Sequence, residues 1–108
     1  MDGIEKIFSE IEEMFFALGF HTETINHSSG DELNYVFNNL YCIPHCVDGL
    51  GFLIEYANSY EEALINDYCD GDSLSLDLTE NEILAGIKQD VLRELQFVQS
   101  EVPKAVGQ

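Results

Sequence analysis

One long stretch without positive charge constrains this chain more than any other feature. Lysine and arginine occur at four positions, and none lies between Ile7 and Ile87, where 16 of the 21 acidic residues are found. The acidic side chains of that stretch have no nearby basic residue in sequence, so each must be solvated, bound to a backbone N–H group, or directed at an external partner. The formal net charge of −17 also opposes compaction through self-repulsion.

The composition is nevertheless that of a folded domain. The chain has 108 residues, of which 45% are hydrophobic and 11% aromatic, whereas disordered acidic segments lack the large apolar side chains that a core needs. We expect one compact domain over residues 1–108, with residues 103–108 as a flexible tail. Direct nucleic-acid binding and membrane binding are disfavoured, because both require basic patches and no apolar run reaches the length of a spanning helix.

Three helices are predicted from apolar spacing and capping signals. Apolar residues recur every three to four positions in the first segment, and the two later segments begin with the Ser/Thr-x-x-Glu pattern of a capping box. These patterns place helices at residues 2–19, 60–68 and 80–100, and we expect Pro103 to end the last one.

Strand patterns fill the region between the first two helices. Residues 20–27 and 33–43 are rich in β-branched and aromatic side chains, and residues 50–57 alternate after an Asp48-Gly49 turn pair. The alternation changes phase at Asn38-Asn39, which indicates a bulge or a tight turn.

Two further patterns complete the expected sheet. Pro44 is expected at an edge or where a ladder ends, because proline cannot donate a ladder hydrogen bond, and residues 73–78 form another short alternating segment. The predicted fold is α+β, with an antiparallel sheet of three to four strands and N-terminal, middle and C-terminal helices in the order αβββα(β)α.

The three cysteines form no recognisable framework. Cys42, His45 and Cys46 offer three soft ligands, but a closed zinc site needs four and the spacing matches no common zinc finger. Adjacent residues on a strand point to opposite faces, so His45 and Cys46 do not make a catalytic dyad. The odd Cys69 leaves a reactive thiol or a dimer contact open.

The expected location is the cytoplasm. An odd number of cysteines argues against a disulfide-stapled secreted domain, and the N-terminus lacks the basic start and apolar stretch of a secretory signal. We predict no cofactor, no metal and no enzymatic activity, although an irregular calcium site formed by Asp67, Asp70, Asp72 and Asp77 stays an alternative. The oligomeric state is left open.

The stretch from Glu61 to Glu82 carries the strongest functional signal, with eight acidic residues and no basic residue. The helix dipole explains glutamates in first helical turns, but it does not explain the aspartates between the helices. Carboxylates interleaved with tyrosines suit docking to a Lys/Arg-rich cleft. The predicted partner-binding residues are Tyr60, Glu61, Glu62, Asp67, Tyr68, Asp70, Asp72 and Asp77.

Three short segments resemble small acidic bacterial immunity proteins, which neutralise polymorphic or contact-dependent toxins. The segments are residues 51–57 (GFLIEYA), residues 59–63 (SYEEA) and Asp70-Gly71-Asp72. The resemblance implies an α+β protein that acts by occupying a toxin and not by catalysis.

The leading hypothesis is therefore a non-enzymatic binding protein whose acidic face occludes a basic site on a partner protein, with a toxin or nuclease as the expected target. A second hypothesis is a small acidic chaperone for a secreted effector, which would bind its client through apolar grooves. A third is an enzyme or a metal-binding domain built on residues 42–46. High salt should weaken the first kind of complex much more than the second.

Overall fold

The fold is α+β, as predicted, and is built on a five-stranded antiparallel sheet. The computed structural model describes the backbone of residues 2–28 and 30–106 and the side chains of residues 3–28 and 30–97. The strands lie in the order β1-β2-β3-β4-β5. In chain order, the elements are α1 (Asp2–Ala17), β1 (His21–His27), β2 (Gly30–Phe37), β3 (Leu40–Val47), β4 (Gly51–Ala57), α2 (Tyr60–Leu64), β5 (Cys69–Asp70) and α3 (Glu80–Val106).

The strand count corrects the predicted three to four, because the segment predicted as one strand over residues 33–43 is a hairpin. Asn38 has φ 55°, the left-handed conformation that a two-residue hairpin turn requires and that asparagine tolerates. The phase change at Asn38-Asn39 therefore marks a tight turn, and Phe37 pairs with Leu40 across it. The element order is αββββαβα.

The fifth strand lies earlier in the chain than predicted. Cys69–Asp70 pairs with β4 as β5, whereas the alternating segment over residues 73–78 contributes one isolated bridge, between Phe52 and Leu74. Leu74 both donates to and accepts from the backbone of Phe52, at 2.7 and 2.9 Å. Residues 69–74 thus follow the edge of β4 without forming a continuous ladder.

The helix α2 is shorter than predicted because its C-terminus is closed early. Asn66 has φ 62°, and its N–H group donates to the Ala63 carbonyl at 3.0 Å, while the N–H group of Asp67 donates to the Glu62 carbonyl at 2.8 Å. These two bonds define a Schellman motif, in which a left-handed residue stops the helix.

The helix α3 extends to Val106 and does not end at Pro103 as predicted. Proline in a helix interior removes one backbone hydrogen bond, and nothing in the structure explains why the helix passes it. The flexible tail over residues 103–108 stays a prediction.

The main core lies on the sheet face that carries α1 and α3. The Phe15 ring stacks on the Tyr35 ring with centroids 4.7 Å apart, and full burial of such a side chain contributes roughly 1.5–3 kcal/mol. The buried members of this core are Ile7, Ile11, Phe15, Phe20, Tyr35, Leu40, Cys42, Phe52, Ile54, Tyr56, Ile83, Ile87 and Val91.

The opposite sheet face, which we call the α2 face, carries α2 and a smaller core. Because side chains alternate along a strand, this face receives the odd-numbered residues of β1, β3 and β4 and the even-numbered residues of β2. Tyr68 packs against its core from the turn after α2. The buried members are Ile25, Val36, Tyr41, Ala57 and Ala63.

Pro44 lies inside β3, opposite Ile54 of β4. The β2–β3 ladder runs only from Phe37↔Leu40 to Tyr35↔Cys42, so Pro44 lies beyond its end. Pro44 therefore does not end its strand, since β3 and its pairing with β4 continue to Val47, but its side away from β4 borders no paired residue of β2.

Candidate partner-binding surface

A capping box fixes the start of α2. The Ser59 Oγ accepts a hydrogen bond from the Glu62 N–H group at 3.1 Å, and the Glu62 Oε1 accepts one from the Asn58 N–H group at 2.9 Å. Both side chains therefore satisfy N–H groups that a helix start leaves free. Glu62, which we predicted as a partner-binding residue, is occupied by this structural role.

The exposed side of α2 forms an apolar patch. Ala63 packs into the smaller core, while Tyr60 and Leu64, four residues apart, share the outward side of the helix. Tyr60 is 48% exposed, Leu64 42%, and the adjoining Ile65 72%. Large apolar side chains grouped in water are typical of contact surfaces.

Carboxylates from the sheet lie on the same face as this patch. Register places Glu55 of β4 opposite Asp70 of β5, and Glu32 of β2 opposite the buried Ile25 of β1. Glu61 on α2 and Asp67 in the following turn add two more exposed acids. We define the acidic α2 surface as Glu23, Glu32, Glu55, Glu61, Asp67 and Asp70 with Tyr41, Tyr60 and Tyr68.

Within the part of the chain that the structure describes, the basic side chains that lie beside these six acids are two histidines. The Nε2 of His21 lies 2.7 Å from a Glu23 oxygen, and the Nε2 of His45 lies 2.8 Å from a Glu55 oxygen. No lysine or arginine pairs with this surface in residues 3–28 and 30–97. Its negative charge is therefore largely uncompensated within the molecule.

Tyr68 is held in place by a hydrogen bond and does not project freely. Its hydroxyl group donates to the Asn34 Oδ1 at 2.7 Å, and Asn34 is fully buried. Burial raises the pKa of Tyr68, and the nearby carboxylates of Glu32 and Glu55 add to the increase, although the Asn34 hydrogen bond acts in the opposite direction. Tyr68 thus links the segment after α2 to β2 beneath the acidic side chains.

Five of the eight predicted residues belong to the acidic α2 surface: Tyr60, Glu61, Asp67, Tyr68 and Asp70. The other three do not join it. Glu62 caps α2, and Asp72 forms an exposed ion pair with Arg93 of α3 at 3.3 Å. Asp77 lies beside the β3–β4 turn at the other end of β4, about 20 Å along a seven-residue strand from α2.

The sequence analysis did not predict four members of the surface: Glu23, Glu32, Tyr41 and Glu55. They lie on strands earlier in the chain, up to 38 positions before Glu61, and only the sheet register brings them beside α2. The alternation within β1 could have placed Glu23 on the same face as Ile25. Nothing local could have shown that β1 and β4 share that face with α2.

A second polar cluster, centred on Asp90, lies within the core. The Tyr56 hydroxyl donates to the Asp90 Oδ2 at 2.7 Å, and Arg93 pairs with the other Asp90 oxygen at 3.3 Å. Burial raises the pKa of Tyr56, and the bond to Asp90 adds to the increase. The cluster joins α3 to β4.

The cysteines and His45 do not converge. Cys42 is buried in the main core, and burial raises the pKa of its thiol well above the usual range, which disfavours the reactive thiolate. His45 lies on the α2 face and bonds to Glu55. Across residues 3–28 and 30–97, no group of three or more histidine, cysteine or acidic side chains is arranged to hold a metal ion.

Comparisons of this chain with protein-family models, with curated proteins and with solved structures gave no match. In the described part of the chain, no helix combines the length and apolar character needed to cross a bilayer.

Proposed function

We propose that this protein is a non-enzymatic binding protein whose acidic α2 surface occludes a basic site on a partner protein. One observation carries the proposal: six carboxylates and two further tyrosines share one side of the molecule with an exposed apolar patch, and no lysine or arginine among residues 3–28 and 30–97 pairs with those carboxylates. Protein interfaces combine an apolar, aromatic centre with a charged rim. The α2 face has both parts, with Tyr60, Leu64 and Ile65 as the centre.

The proposed target is a toxin or a nuclease. The segments that resemble bacterial immunity proteins contribute directly to this surface, since residues 51–57 supply Glu55 and residues 59–63 supply Tyr60 and Glu61. A nuclease cleft is basic because it binds phosphates. Clustered carboxylates would occupy such a cleft by pairing with its lysines and arginines.

The test is a comparison of two charge-matched variants. The basic protein retained by the immobilised chain from a lysate of the source cells is purified, and its affinity is measured by calorimetry. The surface variant carries Glu23→Gln, Glu61→Gln, Asp67→Asn and Asp70→Asn. The control variant changes four exposed acids elsewhere: Glu5→Gln, Glu13→Gln, Asp77→Asn and Glu82→Gln.

We expect the surface variant to bind at least about 100-fold more weakly, since truncating one partner of a buried charge pair costs about 2–5 kcal/mol. The control variant should lose much less, because distant charges act mainly on the association rate. We also expect the wild-type chain to inhibit the activity of its partner at a 1:1 ratio. Equal losses in the two variants, or binding without inhibition, would contradict the proposal.

A second candidate function is a small acidic chaperone, and a groove between α1 and α3 favours it. The groove has a volume of about 450 Å³, and its apolar lining comes from Met14, Ala17 and Leu18 of α1 and from Leu84 and Ala85 of α3. A client held there would stay bound when NaCl is raised from 0.05 to 0.5 M. A partner held by the acidic α2 surface would be released, because exposed charge pairs are screened at high salt.

A further inference from the structure

The most defined part of the acidic α2 surface is a pair of tyrosines with two carboxylates nearby. Tyr41 of β3 and Tyr60 of α2 have ring centroids 6.2 Å apart at an angle of 55°. The Tyr41 ring is buried and the Tyr60 ring is half exposed. The tilted pair therefore forms a wall with one open aromatic face.

Glu23 of β1 and Glu61 of α2 lie close to Tyr41. Both carboxylates and the Tyr60 hydroxyl group act on the Tyr41 hydroxyl group: after burial itself, Glu23 and then Tyr60 and Glu61 raise the pKa of Tyr41. One Glu23 oxygen, Oε2, is bonded to His21 at 2.7 Å. The Glu23 carboxylate also accepts a hydrogen bond from the Tyr41 hydroxyl group, whereas the Glu61 carboxylate has no hydrogen bond to the described residues.

We propose that Tyr41, Tyr60, Glu23 and Glu61 form a receptor for one arginine side chain of the partner protein. This inference rests on the proposed function and names the group that the acidic α2 surface binds most specifically. The guanidinium plane would lie on the open face of the Tyr60 ring, and its N–H groups would donate to the two carboxylates and to the Tyr41 oxygen.

The chemistry favours arginine over lysine. A guanidinium group stacks on aromatic faces and donates from several N–H groups in one plane, whereas an ammonium group is a compact and strongly hydrated point charge. Two carboxylates that reach the same tyrosine from different elements can accept from several donors of one guanidinium group. A single exposed carboxylate would not make this distinction.

The test uses methylguanidinium chloride as the probe and the full chain labelled with ¹⁵N. Backbone amide shifts are followed by NMR at constant ionic strength, with methylammonium chloride titrated in parallel. We expect saturating shifts at Glu23, Tyr41, Tyr60 and Glu61, and binding about fivefold tighter for methylguanidinium than for methylammonium. Shifts that rise linearly across α1 and α3, or equal binding of the two cations, would overturn the receptor.

Variants test the role of each group. Tyr60→Phe keeps the ring and should retain the methylguanidinium affinity within about twofold, whereas Tyr60→Leu and Glu61→Gln should each weaken it about threefold or more. Glu5→Gln, which removes an exposed acid on α1, is the matched control. Wild-type affinity in Tyr60→Leu would contradict the stacking role.

The two proposals fail separately. If methylguanidinium shows no preference for this site while the four-residue surface variant still binds the partner more weakly, the proposed arginine receptor is wrong. The proposed partner-binding role of the acidic α2 surface is then still supported. If the probe binds as expected while the partner binds both charge-matched variants equally, the receptor exists but the proposed function is wrong.

Discussion

At the scale of single residues, two glycines of the β3–β4 hairpin differ in what an added side chain would meet. At one position it would cause backbone strain alone, and at the other it would also cause a steric clash. Gly49 has φ +81° and Gly51 has φ +104°, so a side chain is strained at either position. A Cβ atom at Gly49 would meet open space, whereas one at Gly51 would collide with the Leu74 carbonyl group. Gly51 therefore allows residues 72–75 to approach the edge of β4.

We predict that Gly49→Ala lowers the free energy of unfolding by about 1–2 kcal/mol, the cost of a left-handed conformation. Gly51→Ala should lower it by distinctly more, because the alanine methyl group also breaks the contact with Leu74. Urea unfolding at pH 7 measures both changes. Equal losses in the two variants would show that residues 72–75 do not pack on β4 as described.

The hydrogen bond between Tyr56 and Asp90 predicts a response to alkaline pH. Burial and Asp90 raise the pKa of Tyr56, so the folded protein keeps the phenol proton that the unfolded chain loses near pH 10. The contribution of Tyr56 to stability is fully present below pH 10 and falls above it by about 1.4 kcal/mol per pH unit.

Tyr56→Phe should therefore reduce the slope of unfolding free energy against pH by about that amount between pH 10 and 11. At pH 7 the same variant should lose about 1.5–3 kcal/mol, since a hydrogen bond to a charged group is removed. Urea titrations across this range make the measurement, and an unchanged alkaline slope would contradict the assignment.

At the scale of elements, helix caps and tight turns determine where helices and strands begin and end. The capping boxes at Ser59 and Thr79 were readable from the sequence, and the structure confirms both. The Schellman motif at Asn66 was not foreseen, because asparagine takes the left-handed conformation in only some of its occurrences. For the same reason the sequence allowed either a bulge or a turn at Asn38-Asn39.

Asn66→Ala should destabilise the fold by about 1–2 kcal/mol, because alanine is strained at φ 62°. Asn66→Gly should be neutral or slightly stabilising, since glycine adopts this conformation freely. Thermal unfolding of the two variants beside the wild type measures the difference. Equal melting temperatures would show that α2 does not end in this motif.

At the scale of the whole molecule, net charge opposes stability. Self-repulsion at a net charge of −17 destabilises the compact state. The sequence alone identified the acidic stretch and five residues of the candidate surface. It could not supply Glu23, Glu32, Tyr41 and Glu55, because their proximity to α2 depends on sheet register and on which face each helix covers.

Raising NaCl from 0.05 to 0.5 M should therefore increase the urea concentration at the unfolding midpoint, because salt screens the repulsion. The four-residue surface variant should show a higher midpoint than wild type at low salt and a smaller response to salt. Its four-residue control variant has the same net charge and should be stabilised to a similar extent. A midpoint that falls with salt would contradict the dominance of repulsion.

The central claim is that the acidic α2 surface contacts the partner protein, and hydrogen exchange tests this contact most directly. Amide exchange is compared between the free chain and its complex with the purified basic partner. We predict new protection in residues 60–70 and in β1, with no change in α1 and in residues 80–97 of α3. Protection centred on the groove between α1 and α3, with residues 60–70 unchanged, would contradict the claim.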